Sequence, residues 1–432
     1  MAYTLFELQD GREFFYDSND NTIYNGKGET LNFSFDKSDE WYEQQSKEWG
    51  TDQKTDKPVS LRILLGHACN YNCSYCMQKD IGDPSERPRS LWTETFIEKL
   101  KKNLSFEKLS RVELWGGEPF LYWKDMVAIM EFFDHPDRYF FISTNGSAFV
   151  EKHYEFFKKL KSRVMINVSH DAKKQELTRG VDVFKNPKKV DVMKRIFALP
   201  NVSFAFGCVV SSENHDLFEI NEYFKDFVDR EGIVGAKLNF IPARNYDFHG
   251  KDENSAKYIL RGETLKKFND HMYEFLKVAT EDMAHEKTLP CSLMYSDYGV
   301  VQYSKFLKNQ APIVSTSKCG ADSNRVLSVD LQGNIRLCPH SDNHFKAGSI
   351  DDLKDIRIHG LDLEGKNKHC MSCHVKRLCK SSCPIKFPDE VFYSNCALEK
   401  VWWGNIQLAS MRLLFGQDVS MISTNLSSMT SL

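Results

Sequence analysis

Between Ser60 and about Met283, short runs of β-branched and aromatic residues alternate with longer segments in which apolar positions return every three or four residues. Alternation of this kind is the pattern of parallel strands joined by crossover helices. It predicts strands over Leu61 to His67, Arg111 to Trp115, Tyr139 to Ser143, Val164 to Ser169, Val202 to Val210 and Ala236 to Ile241. Helices are predicted over Thr93 to Leu104, Lys124 to Phe133, Lys152 to Leu160, Lys188 to Leu199, Leu217 to Arg230 and Thr264 to Met283. Six such units predict an α/β fold, a partial (β/α)6 TIM-like barrel, whose chemistry gathers at the C-terminal ends of the strands. Ahead of it, Asp10-Gly11 is a hairpin signal between aromatic-rich runs, and Asp17 to Asn21 offers a second turn. A small β-meander is expected there, then a polar linker over Gln44 to Lys57. The expected division is an N-terminal β-hairpin segment and linker (1–57), the barrel (58–285), a cysteine-rich domain with a helix over Val401 to Phe415 (286–416), and a frayed tail (417–432).

Composition narrows the class. The chain has 432 residues, is 41% hydrophobic and 27% charged, and carries a net charge of -3, which describes a globular protein of two or three domains. Lysine runs at Lys99 to Lys102 and Lys158 to Lys161 lie on amphipathic helical patterns and read as solvated faces, so no nucleic-acid partner is expected. No apolar stretch is long enough to span a membrane, and the first residues lack a basic region followed by an apolar run. A cytoplasmic, reduced protein is the expectation, in which the sequons at Asn72 and Asn145 carry no glycan and the 12 clustered cysteines are not a disulfide framework.

Cys69, Cys73 and Cys76 are separated by three and then two intervening residues in one short loop after the first barrel strand. Three thiolates on one loop hold three irons of a [4Fe-4S] cube and leave the fourth iron open. Structural zinc, by contrast, takes four closed ligands. An open iron suits the amino and carboxylate groups of S-adenosylmethionine (SAM). At the next strand ends lie Gly116-Gly117-Glu118-Pro119, Ser143-Thr144-Asn145-Gly146 and Ser169-His170-Asp171. The glycines permit close backbone approach, and the Glu118 carboxylate is suited to accept from an ammonium group. His67 and His170 read as structural histidines, and Cys208, in an apolar run, as an inert buried thiol.

In register with the cysteine loop, these clusters resemble the radical SAM superfamily. The resemblance implies that Cys69, Cys73 and Cys76 bind the radical-generating cluster, with Tyr75 as the aromatic before the third cysteine. It places Gly116, Gly117, Glu118 and Pro119 at the methionyl amino group, Ser143 and Asn145 near the carboxylate and ribose, Ser169 and Asp171 at the ribose, and Arg179 toward the carboxylate. It also implies reductive cleavage of SAM to a 5′-deoxyadenosyl radical, with reduced flavodoxin or ferredoxin as electron donor and a precursor peptide or protein as substrate.

Further along, Cys319, Gly333 and Cys338 are followed by Cys370, Cys373, Cys379, Cys383 and Cys396, with internal gaps of two, five, three and twelve residues. Leu331 to Ile335 reads as a hairpin. Four of these thiols at short spacing also suit a zinc ribbon. The whole pattern resembles the SPASM extension of some radical SAM enzymes, which implies two auxiliary [4Fe-4S] clusters, three in all. Cys319, Cys338 and Cys383 would hold the nearer one, with Cys291 a candidate fourth ligand or the position left open. Cys370, Cys373, Cys379 and Cys396 would close the farther one. Members that form formylglycine on sulfatases typically carry an Asp after the cysteine of the Gly-x4-Cys element; here Pro339 and His340 follow Cys338, which favours modification of ribosomally made peptides by thioether or C–C cross-links. The general base is not identifiable, although His340 and Asp322 lie near these cysteines. Phe6 to Tyr24 is similar to the β-hairpin region of several peptide maturases, where a leader peptide can add a strand. A non-catalytic iron-sulfur carrier is the reading from another class.

Overall fold

The computed structural model describes residues 3–18, 22–31, 54–78, 91–245, 257–284, 321, 323–338, 346–356, 368–371, 373–379 and 388–423. The N-terminal meander consists of β1 (Tyr3–Leu8), β2 (Glu13–Asp17) and β3 (Thr22–Asn25), antiparallel, with Phe6 opposite Phe14. Alternate residues Phe6, Phe14 and Tyr16 are buried, as a sheet with one packed face requires.

The barrel follows as β4 (Ser60–Leu64), α1 (Leu91–Asn103), β5 (Arg111–Trp115), α2 (Trp123–Phe133), β6 (Tyr139–Thr144), α3 (Glu151–Phe157), β7 (Arg163–Ser169), the short α4 (Gln175–Arg179), α5 (Pro187–Phe197), β8 (Val202–Val210), α6 (Leu217–Glu231), β9 (Lys237–Pro242) and α7 (Gly262–Ala284). β4 to β9 pair in parallel and in sequence order. Leu61 and Ile63, Val112 and Leu114, Phe140 and Ile142, and Val164, Ile166 and Val168 are buried in one continuous core. Each such side chain contributes roughly 1.5–3 kcal/mol on burial. The opposite face carries Arg62, Glu113, Ser143, Asn167 and Ser169 beside Phe141 and Met165, and it is polar toward the C-terminal ends of β6 and β7.

The cysteine-rich region supplies β10 (Val326–Asp330), β11 (Asn334–Arg336), β12 (Lys346–Ser349), α8 (Lys368–Met371), α9 (Lys376–Cys379), α10 (Asp389–Phe415) and β13 (Val419–Ser423). The predicted hairpin is β10–β11, its turn closed by Asp330, which accepts from the backbone N–H groups of Gln332 and Asn334, both at 3.0 Å. Two features depart from the expected division. β10 pairs in parallel with β4, Leu327 opposite Leu61, and carries the barrel sheet on to nine strands in the order β12-β11-β10-β4-β5-β6-β7-β8-β9. β13 lies within the supposed tail, yet it pairs with β1, Leu8 opposite Val419, and makes a four-stranded sheet. Val419 is 2% exposed, and its burial with Phe6, Leu8 and Met411 is what orders a Ser-rich end.

α10 packs on the cysteine-rich region, with Phe392 and Tyr393 against His369, and it also runs along the last barrel helix, with Trp402 stacked on Phe268 at 6.1 Å, while its end lies under the meander, Phe415 against Phe14 at 4.6 Å. Its other fastening is to the loop after β9. Asn395 accepts from the Asn245 N–H at 2.9 Å and donates to the Asn245 carbonyl at 2.7 Å, while Glu399, 1% exposed, pairs with Arg244 and accepts from Trp403.

Candidate active site

The loop carrying Cys69, Cys73 and Cys76 leaves the C-terminal end of β4 and is held by three neighbouring strand ends. At β5, Gly117 donates to Gly66 O at 3.0 Å and Glu118 N to Ala68 O at 2.9 Å. An added Cβ on Gly117 would stand 2.4 Å from Ala68 O and 2.5 Å from His67 O, so the glycine is needed for contact with the loop itself. Ala68 N in turn donates to the Tyr122 hydroxyl at 2.6 Å, and the Tyr122 ring fills the space where Gly66, at φ 151°, would carry a side chain.

At β6 the fastening is an amide pair. Asn145 Nδ2 donates to Asn70 Oδ1 at 2.9 Å, Asn70 Nδ2 donates to Ser147 Oγ at 2.7 Å, and Ser147 donates back to Asn145 Oδ1 at 2.6 Å. At β7 the segment Asp171 to Arg179 does the work: Ser74 N donates to Thr178 O at 2.8 Å, and the Tyr75 hydroxyl donates to Asp171 Oδ2.

Two carboxylates that the resemblance assigns to SAM are also anchors within the protein. Glu118, 1% exposed, accepts from Phe120 N at 3.1 Å, Thr144 Oγ1 at 2.6 Å and Asn145 N at 2.8 Å, so it ties the ends of β5 and β6 together; burial raises its pKa in spite of these donors. Asp171 is 0% exposed, and accepts from Tyr75, from Thr178 Oγ1 at 2.7 Å and from Val209 N at 3.1 Å, besides an ion pair with Arg179 at 3.1 Å. It joins the cysteine loop, α4 and β8. Arg179 is likewise held by Asp171, with its guanidinium 5.4 Å from the Tyr75 ring centre and Nη1 3.9 Å from Cys73 Sγ. Ser143 and Ser169 are half-buried at their strand ends, Ser143 accepting from Asn167 at 3.4 Å.

His170 is structural, as read. Ala172 N donates to its Nδ1 at 3.1 Å, so Nε2 carries the proton toward Asp182 at 2.9 Å, and burial lowers its pKa. Cys208 is buried with its thiol pKa raised by desolvation, which makes it a poor nucleophile.

The three loop thiols interact electrostatically with one another. Burial pushes Cys73 up to about 11, against the pull of Arg179, and raises Cys69. A group that replaces those protons with metal suits soft thiols on a loop braced from three sides, so the donor set fits three ligands of an iron-sulfur cluster. In the second constellation, Cys370 and Cys373 lie near Cys396, which has His369 Nε2 at 3.4 Å and Lys400 close by; burial raises Cys396 to about 12. Cys379 is buried on α9, and Cys338 follows β11. Cys319, Cys383, Cys291, Asp322 and His340 lie outside the described residues. Among the described residues, no three His, Cys, Asp or Glu side chains meet as ligands of a single metal ion, and no helix is long and apolar enough to cross a membrane.

Tyr122, Asn70, Ser147 and Thr178 were missed in the sequence. Each is an ordinary polar residue whose role appears only when the strand ends are brought together.

Residues 63–198 match the model of the Radical SAM superfamily. Over 393 residues the chain is 22% identical to a radical SAM cyclopropyl synthase, TigE, of Paramaledivibacter caminithermalis, covering 84% of this chain and 73% of that protein. In fold it resembles native anSMEcpe with bound AdoMet (TM-score 0.58, 17% identity, 82% of this chain and 100% of that one). It also resembles Streptococcus suis SuiB bound to the precursor peptide SuiA (TM-score 0.50, 16% identity, 78% and 76%).

Proposed function

Since this chain carries a radical SAM domain over residues 63–198 and is an enzyme, we propose that it modifies a ribosomally made peptide by oxidative removal of two hydrogens, forming a thioether or C–C cross-link. The observation that carries the reading is the bracing of Cys69, Cys73 and Cys76 on three strand ends, at the mouth where such a barrel does its chemistry. When bound there, a [4Fe-4S] cluster and SAM supply a 5′-deoxyadenosyl radical. The residues of the chain bind and orient. Cys69, Cys73 and Cys76 hold three irons, Gly116 to Pro119 and Asn145 keep the loop at a fixed height above the sheet, and Ser143 and Ser169 offer hydroxyls to the cofactor. Glu118, Asp171 and Arg179 act one step back, by fixing the loop and its neighbours.

Peptide chemistry is supported by the fold likeness to SuiB with its precursor peptide, and C–C bond formation by the name of TigE. Cys370, Cys373, Cys379 and Cys396 would hold one auxiliary cluster, and Cys319, Cys338 and Cys383 a second. β3, an edge of the meander sheet, is the place where an extended leader could add a strand, and reduced flavodoxin or ferredoxin would supply electrons.

The test is anaerobic incubation of the reconstituted enzyme with SAM, dithionite and the short peptide encoded beside its gene, followed by alkylation of free thiols. A peptide lighter by two hydrogens is the expected product, with one fewer alkylated thiol for a thioether and an unchanged count for a C–C link. Absence of 5′-deoxyadenosine would overturn the enzyme reading. 5′-Deoxyadenosine with an unmodified peptide would overturn the peptide assignment and favour protein maturation.

A further inference from the structure

Arg179 occupies an unusual position for a cation. It is 9% exposed, α4 ends with it, and its side chain reaches Cys73 and Tyr75 of the cysteine loop. Its Nε faces Asp171 Oδ2 at 3.1 Å, its Nη1 reaches Cys73 Sγ at 3.9 Å, within hydrogen-bonding range for sulfur, and its charge lies over the Tyr75 ring. Tyr75 is the residue between Ser74, pinned to Thr178, and Cys76. Two contacts, with Asp171 and with the Tyr75 ring, therefore hold one guanidinium against one cysteine sulfur. Asp171 has four partners of its own, so its remaining charge is shared, and the cation is not fully spent on it.

We propose that Arg179 is a positioning residue that donates a hydrogen bond to the Cys73 thiolate and, through that sulfur, raises the reduction potential of the cluster bound by Cys69, Cys73 and Cys76. The proposal rests on the radical SAM reading. Hydrogen bonds to ligand sulfurs and nearby charge are the levers by which a protein sets such potentials. A cation beside the sulfur stabilises the added electron, so its removal makes the cluster harder to reduce. Burial strengthens the effect, because a low-dielectric setting screens it little. Thr178 and Tyr75 hold Asp171 in place, and Asp171 holds the guanidinium. Lys at position 179 would keep the charge but not the fork that spans Asp171 and Cys73 at once.

The experiment is an anaerobic reductive titration of the reconstituted holoenzyme, followed by electron paramagnetic resonance on the signal that changes when SAM is added, which separates this cluster from any other. Arg179→Met and Arg179→Gln are expected to lower its midpoint potential, Arg179→Lys to retain part of the wild-type value, and Ser147→Ala, which loosens the brace on Asn70 at another side of the loop without touching the Arg179 bracket, to leave it unchanged. The two neutral variants back each other up should one fail to fold. A neutral variant at the wild-type potential would overturn the inference, and so would a shift of equal size in Ser147→Ala, which would make the role structural. If the wild-type enzyme gave no SAM-sensitive signal, the radical SAM reading itself would fall. A wild-type signal with unshifted variants refutes only the role of Arg179.

Discussion

Gly117→Ala tests the brace on the cysteine loop with the addition of one methyl group. An ideal Cβ at Gly117 lies 2.4 Å from Ala68 O and 2.5 Å from His67 O, both backbone atoms. Ordinary contact begins near 3.4 Å, so the strands must part by about 1 Å (3.4 less 2.4). That movement strains Glu118 N to Ala68 O at 2.9 Å and Ala68 N to Tyr122 at 2.6 Å. Overpacking costs about 1–3 kcal/mol and each lost hydrogen bond about 1 kcal/mol, for a total of roughly 2–5 kcal/mol against a typical stability of about 5–15 kcal/mol. The variant is therefore expected to fold with a lowered denaturation midpoint. Cys69 directly follows the displaced residues, and a 1 Å misplacement costs about 100-fold in rate. The assay pairs a urea melt with the rate of 5′-deoxyadenosine release after reconstitution. Gly26→Ala, with open space around it, is the neutral control. A Gly117→Ala protein that melts with the wild type and cleaves SAM at the wild-type rate would refute the close-approach argument.

Glu399→Ala should cost about 1–3 kcal/mol, since it removes the buried carboxylate that pairs with Arg244 and accepts from Trp403 at the junction between α10 and the barrel; a urea midpoint within error of wild type would refute that. Burial holds His153 neutral and lowers its pKa from 6.5 to about 3, so the folded state binds fewer protons than the unfolded chain in that interval. Its contribution to stability is present above pH 6.5 and is lost as the pH falls toward 3, and His153→Gln should flatten that part of the stability profile; an unchanged slope would exclude His153 as a source. Truncation after Gly416 removes β13 and the burial of Val419, worth roughly 1.5–3 kcal/mol, and bares an edge of β1. Light scattering should report aggregation, and a monodisperse, equally stable product would show the strand to be dispensable.

The barrel was legible because its strands and helices differ in period, and observed boundaries fall within a few residues of those read from Leu61, Lys124 or Leu217. The cysteine loop and the three polar clusters were legible as types of residue at strand ends. Which of them touch each other was not. Glu118 and Asp171 are legible as strand-end carboxylates, whereas their protein partners, Thr144, Asn145, Thr178 and Val209, come from other strands or from a helix too short to show a period. β13 was hidden by its Ser-rich composition, since its burial is supplied by Phe6 and Met411 far away in the chain. β10 was invisible as a barrel strand because nothing local says that Leu327 lies beside Leu61.

The pairing of Leu8 with Val419 also has a consequence in time. These residues are 411 positions apart (419 less 8), and a ribosome adds about 5–20 residues per second, so β1 waits roughly 20–80 s for its partner. Throughout that wait the backbone N–H and C=O groups on one side of β1 stand open, next to Phe6 and Leu8, whose place against Met411 does not yet exist. Completion of this small sheet is therefore a late event in the birth of the molecule, and crowded overexpression would be felt first at this strand.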